Sequence, residues 1–172
     1  MFWRFESNVG GQGLIPVFQK VVDPGKGDCW RCCIASILEL NVDCVPNFVG
    51  ESDHSKGILA EDLVRKWLKD RGLFLLEIFL WNDRPWDHVL NWIHLDGSFC
   101  IMSVPSQKYP KGTHAVVGQF QKVKGSTELV IVHDPNPGNA PYGEVNPSRI
   151  QFILPFFPSV RPVLTRNSQD CP

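Results

Sequence analysis

The stretch GDCWRCCIASILEL, Gly27 to Leu40, decides how the rest of the chain is read. Asp28 is a good N-cap, and Trp30, Cys33, Ile34, Ile37 and Leu38 recur at helical spacing, which predicts a helix opening at Cys29. Arg31 and Glu39 lie off that stripe, and the helix is expected to end near Leu40, with Asn41 as its stop and Pro46 beyond.

The three cysteines of this stretch separate by position. Cys29 falls in the first helical turn, where unpaired backbone N–H groups and positive potential stabilise a thiolate, the reactive form of a nucleophile. The charge of Asp28 opposes that effect, and a small filler at a buried helix end is the bland alternative. Cys33 belongs to the apolar stripe and reads as core. Cys32 shares a face with Cys29 in a CxxC pattern, but a thioredoxin-like redox site needs a βαβ setting, and the preceding segment is the loop DPGKGD. A zinc site would need two more ligands at recognisable spacing, and no second CxxC or CxxH exists. No metal and no cofactor is expected.

Working outward, a second helix is predicted over Ile58 to Arg71, with Ala60, Leu63, Val64, Trp67 and Leu68 as its apolar stripe and Gly72 closing it. LFLLEIFL then reads as a buried strand, and a third helix is expected after Asp83, with Trp86, Val89, Leu90 and Ile93 facing inward. Before Gly27 the likeliest strand is GLIPVFQ. From Ser98 the texture changes to strands: SFCIMSVP, THAVVGQF and TELVIVHD, and then RIQFILPFF, which Pro155 is expected to cut short or push to an edge. Helices followed by an antiparallel sheet make an α+β fold. The 172 residues suit one domain, and prolines and glycines are scattered rather than gathered into a linker, so residues 1–172 are taken as a single unit.

Bulk composition excludes several classes. Seventeen basic against eighteen acidic residues give a net charge of −1, and no basic stripe points to nucleic acid. Apolar runs such as Leu73 to Trp81 are too short to span a bilayer, so no membrane partner is expected. The segment MFWRFESNVGGQG lacks the apolar stretch of a signal peptide, which makes a cytoplasmic setting the expectation, with most of the six cysteines free.

A thiolate nucleophile needs a base, and the base needs an orienting acceptor. Of the five histidines, His54 sits in a polar loop, and His88 and His94 fall on the third predicted helix. His114 opens the strand HAVVGQF, while His133 and Asp134 close the strand ELVIVHD. If the two strands form a hairpin, the start of one neighbours the end of the other, which brings His114 beside His133 and Asp134. Which of the two faces His114 depends on register. Asp134 is the better orienter, because a carboxylate accepts the imidazole N–H and stabilises the imidazolium.

Cys29, His114 and Asp134, in that order on a helix start, a strand start and a partner strand end, resemble the papain-like cysteine peptidases. The branch most similar is that of the bacteriocin leader-processing (double-glycine) peptidases. The pieces that carry the resemblance are Gln19, Asp28-Cys29, His114-Ala115-Val116-Val117 and Asp134-Pro135, spanning Val17 to Pro137. The resemblance implies a papain-like fold, with the nucleophile at the start of the central helix and a C-terminal antiparallel sheet packed on it. It implies Cys29 as nucleophile, His114 as general base and then acid, Asp134 as orienter, and Gln19 as oxyanion donor beside the Cys29 backbone N–H. Gln12 is the weaker alternative donor. Trp30 stands where the family has a small residue, and a substrate-binding role in the cleft wall is assigned to it, with SQKYPKGT and GNAPYG as rim loops. The membrane segments and ATPase of the transporter-linked members are not present in the sequence, so leader processing does not follow. The expected function is thiol-dependent hydrolysis of a peptide, isopeptide or other small amide substrate. Acyl transfer of the transglutaminase kind and a non-catalytic papain-like binding module remain the alternatives.

Overall fold

The computed structural model describes residues 13–23, 25–80, 96–123, 126–143 and 146–156. Three α-helices occur among them: α1 at Cys29–Leu38, the single turn α2 at Phe48–Glu51, and α3 at Ala60–Lys69. Five strands follow: β1 Leu73–Phe79, β2 Phe99–Pro105, β3 Thr113–Val123, β4 Ser126–His133 and β5 Arg149–Pro155. They form one antiparallel sheet in the order β1-β5-β2-β3-β4. The architecture is therefore α+β, helices on an antiparallel sheet. The helix expected after Asp83, with His88 and His94, lies outside the described residues, as does Gln12.

Strand periodicity divides the interior into two layers. Leu73, Leu75, Ile101, Ala115 and Val117 face α1 and α3 and pack with Cys33, Ile34, Leu38, Phe48, Val64 and Leu68. The intervening positions, Cys100, Met102, Val104, Val116, Phe120, Ile150 and Phe152, form a second cluster on the opposite face. Strand β2 is buried on both faces, which is why its sequence reads as an unbroken apolar run. Helix α1 is buried nearly all round, with Cys32 and Ser36 as inaccessible as the stripe residues. Such a helix is central rather than superficial.

Four expectations need correction. Helix α1 ends at Leu38, because Glu39 turns left-handed (φ 54°) and the Leu40 N–H closes onto the Ala35 carbonyl at 2.9 Å. Asn41 instead caps the next short turn, accepting from the Asp43 N–H at 3.0 Å. GLIPVFQ forms no strand, since its described donors go to single side chains and a loop carbonyl rather than to a ladder. LFLLEIFL is β1, an edge strand with Leu76 and Phe79 exposed. Finally, β5 is interior, between β1 and β2, and Pro155 falls at its last position opposite Leu73, where a missing donor does not interrupt the ladder. Among the described residues no single helix is long and apolar enough to cross a membrane.

Candidate active site

The segment before α1 is lashed to the helix start. Asp28 is 2% exposed and makes no side-chain cap, contrary to expectation. Its carboxylate accepts instead from the backbone N–H of Lys20 (3.3 Å) and Val21 (3.0 Å), while its own N–H donates to the Val21 carbonyl at 3.3 Å. With the carboxylate turned away, the first-turn N–H groups of α1 are not spent on a side-chain cap. Further upstream, the Val17 N–H donates to Ser36 Oγ at 3.0 Å, and the Gln19 N–H donates to the Pro135 carbonyl at 2.9 Å. Gln19 is thus pinned between the Asp28 clamp and the residue that follows Asp134. Its side-chain Oε1 is buried and has no hydrogen-bond partner among the described residues. An acceptor left unsatisfied in such a place is open to a donor from a ligand.

Strands β3 and β4 bring the other two residues together through a bulge. Their register is regular from Val123 opposite Ser126 to Gly118 opposite Ile131, then skips Val132 so that Val117 faces His133. Directly opposed residues share a face, and successive residues alternate. A continuous ladder would set Asp134 opposite Ala115, on the α1 face. The extra residue reverses that parity: His133 joins Val117 on the α1 face, and Asp134, the first residue past β4, reaches His114 at the start of β3. The hydrogen bonds follow this division. His133 Nε2 donates to the Val17 carbonyl at 2.8 Å, and its ring meets Phe18 edge-on at 5.3 Å. His114 Nε2 donates to Asp134 Oδ1 at 2.7 Å. The Cys29 thiol hydrogen-bonds the same imidazole, which leaves Nδ1 as the atom facing it. Cys29, His114 and Asp134 therefore form one chain of contacts.

Charges in this chain support one another. Burial pulls His114 down, but the hydrogen bonds to Asp134 and Cys29 and their charges outweigh it, and its pKa rises from 6.5 to about 9. Burial likewise pushes Asp134 up, yet donors from His114, the Asn136 N–H and the Asn139 amide hold its carboxyl below 3.8. Tyr142, partly buried and facing the negative charges of Asp134 and Cys29, is pushed up to about 12 and stays a neutral phenol. The neighbouring thiols differ from Cys29 in access. Cys32 is pushed up to about 12 by burial and then by the charge of Asp28, and burial raises Cys33 and Cys100. Cys29, Cys32, Cys33 and Cys100 are free, whereas Cys44 is disulfide-bonded. Among the described residues, no cluster of three or more His, Cys, Asp or Glu side chains is arranged to hold a metal.

Trp30 does not line the cleft. It is 6% exposed, with its ring edge-on to Phe48 at 6.4 Å and the Arg149 guanidinium over it at 5.6 Å. The residue after Cys29 lies on the inner side of α1, so its bulk goes into the core. The open groove beside the contact chain is instead lined by Val22, Gln107, Lys108, Asn136, Gly138 and Asn139, and encloses about 410 Å³. Its walls are fastened together: the Gln107 side chain donates to and accepts from Ala140 (2.8 and 3.0 Å), and Tyr109 Oη donates to the Val22 carbonyl at 3.2 Å. Asn136, Asn139 and Tyr142 were not singled out from the sequence. Their only signal is the turn composition of DPNPGNAPY, which marks a loop but not a carboxylate clamp. No protein-family model matches the chain, and no curated protein or solved structure matches it either.

Proposed function

We propose that this chain is a papain-like thiol hydrolase that cleaves a peptide, isopeptide or other amide bond through a thioester. The observation that carries the reading is the continuous contact from the Cys29 thiol to His114 and from His114 Nε2 to Asp134 Oδ1 at 2.7 Å. A histidine held cationic by a carboxylate on one side can keep a thiolate on the other, and can then donate its proton to the departing amine. In the proposed cycle Cys29 Sγ attacks the carbonyl carbon. The oxyanion is met by the Cys29 backbone N–H at the open start of α1 and by the Gln19 side-chain amide. His114 protonates the leaving nitrogen as the C–N bond breaks, leaving a thioester on Cys29. His114 then takes a proton from water, which attacks the thioester and releases the acid and the thiol. Each oxyanion donor is worth about two to three orders of magnitude in rate.

The test is site-resolved labelling. Iodoacetamide at neutral pH should modify Cys29 ahead of Cys32, Cys33 and Cys100 in peptide mass maps, and His114→Ala should slow that reaction. Incubation with a mixed peptide-amide library should yield free acids that vanish in Cys29→Ala. An acid product that turns into an amide when an amine is added identifies acyl transfer through the same thioester. Preferential labelling of any other cysteine, or turnover surviving in Cys29→Ala, overturns the mechanism.

A further inference from the structure

We infer that Asn139 is the positioning residue of this site, holding the Asp134 carboxylate in place while forming part of the groove wall; the inference rests on the hydrolase reading above. Asp134 has two oxygens to orient. Oδ1 already receives His114 Nε2 (2.7 Å) and the Asn136 N–H (2.7 Å). Oδ2 receives one side-chain donor, Asn139 Nδ2, at 2.8 Å. Asn139 is in turn fixed from two sides: its Oδ1 accepts from Asn136 Nδ2 at 2.9 Å, and its Nδ2 lies 3.4 Å from Tyr142 Oη. Rotation of Asp134 about its side-chain torsion would break the bond to His114, and the Asn139 bond to the other oxygen opposes that rotation.

The second half of the observation is where Asn139 stands. It lines the 410 Å³ groove together with Asn136. A substrate segment lying in the groove therefore touches the two side chains that aim Asp134. Occupancy and orientation of the contact chain are coupled through a single amide, because any displacement of Asn139 is felt at Asp134 Oδ2. The groove loop is not free to drift on its own, since Gln107 ties it to the opposite wall through Ala140.

The deciding measurement is the pH profile of Cys29 alkylation by iodoacetamide, followed by intact mass, in the wild type, Asn139→Ala and Gln107→Ala. Losing the Oδ2 donor weakens the imidazolium, so the window in which the Cys29–His114 pair is formed should narrow from both ends. Each limb should move by about half a pH unit. With a turned-over amide, Asn139→Ala should lower kcat by roughly ten- to a hundredfold, the range for a lost outer-shell partner. Gln107→Ala removes the other loop anchor and should raise KM while leaving both limbs in place. Limbs that stay unmoved in Asn139→Ala, with the wild-type window present, overturn the positioning role alone. A wild-type profile showing only the single limb of an ordinary thiol overturns the hydrolase reading itself. Equal limb shifts in both variants reduce Asn139 to a general loop brace and also overturn the inference.

Discussion

Replacing Asp134 with asparagine tests the charge logic of the site with the least change of shape. His114 stands at about 9 in the folded protein against 6.5 without its surroundings. At about 1.36 kcal/mol per pH unit, that difference corresponds to about 3 kcal/mol. Burial opposes the rise, and Asp134 and Cys29 together outweigh it, with the Asp134 hydrogen bond the larger share, so Asp134→Asn should remove roughly 2 kcal/mol. The sign follows from proton counting. Between 6.5 and about 9 the folded state holds a proton that the unfolded state lacks, so stability falls as pH rises. The contribution is full below 6.5 and gone above about 9. Urea unfolding of both proteins at pH 6, 7.5, 9 and 10 isolates it, because other titrations are common to the pair. The wild type should lose about 2 kcal/mol more than the variant across that range. In parallel, the His114 ring resonances should titrate near 9 in the wild type. In Asp134→Asn they should titrate below the wild-type midpoint, since burial then acts with less opposition. Activity should fall by up to about four orders of magnitude. Parallel stability curves for the two proteins, or a wild-type His114 titrating at an ordinary value, would refute the account.

Deleting Val132 should restore a continuous β3–β4 ladder with His133 still opposite Val117, leaving Asp134 where it reaches His114. Far-UV circular dichroism and the rate of Cys29 alkylation should both stay near those of the wild type, whereas a variant that pairs Val132 with Val117 should slow alkylation to the rate seen in His114→Ala. Asp28→Ala strips the acceptor from two backbone N–H groups, those of Lys20 and Val21, and should cost about 2 to 4 kcal/mol in urea unfolding. Asp28→Asn, which keeps one oxygen, should recover part of that loss. At Gly118 an added Cβ would stand 2.4 Å from Met102 Sδ and 2.9 Å from Leu129 Cδ1. Gly118→Ala should therefore destabilise by about 1 to 3 kcal/mol, read as a lowered Tm, and Gly118→Ala with Leu129→Ala should recover some of it.

What was legible in the sequence follows the range of the interactions involved. Helices α1 and α3 were legible because their apolar residues repeat at helical spacing, and β2, β3 and β4 because their runs are rich in β-branched residues and bounded by turns. The place of β5 was not. A proline in RIQFILPFF argues for an edge only if it falls inside the ladder, and Pro155 sits past the last pairing with β2, at Gln151, and at the last position paired with β1. GLIPVFQ has strand composition but is claimed by Ser36, His133 and Pro135, three partners that no local pattern announces. Asp28 shows the same competition at one residue. Its type suits an N-cap, and the cap was outbid by two backbone donors of the incoming segment.

The site divides along the same line, and the division turns on parity. The residue types and their order, Cys29 then His114 then Asp134, are local facts and can be read directly. Whether Asp134 or His133 faces His114 is set by the count of residues between the strands, modulo two. A regular hairpin continued from Gly118 opposite Ile131 would have set Asp134 against the helix layer and His133 on the His114 face. A single unpaired valine reverses the assignment. No propensity at Val132 marks it as bulged, since VIVH reads as unbroken strand. The reversal serves both residues at once: His133 anchors the Val17 carbonyl, and Asp134, just past the end of β4, reaches His114 at the start of β3. Because Val17 leads to Gln19, and Gln19 N–H is bonded to Pro135, the same bulge also sets where the Gln19 amide can lie relative to Cys29. One register slip thus positions the orienter and the segment that carries the candidate oxyanion donor together. A hairpin mutation that pairs Val132 with Val117 should remove both contributions rather than one.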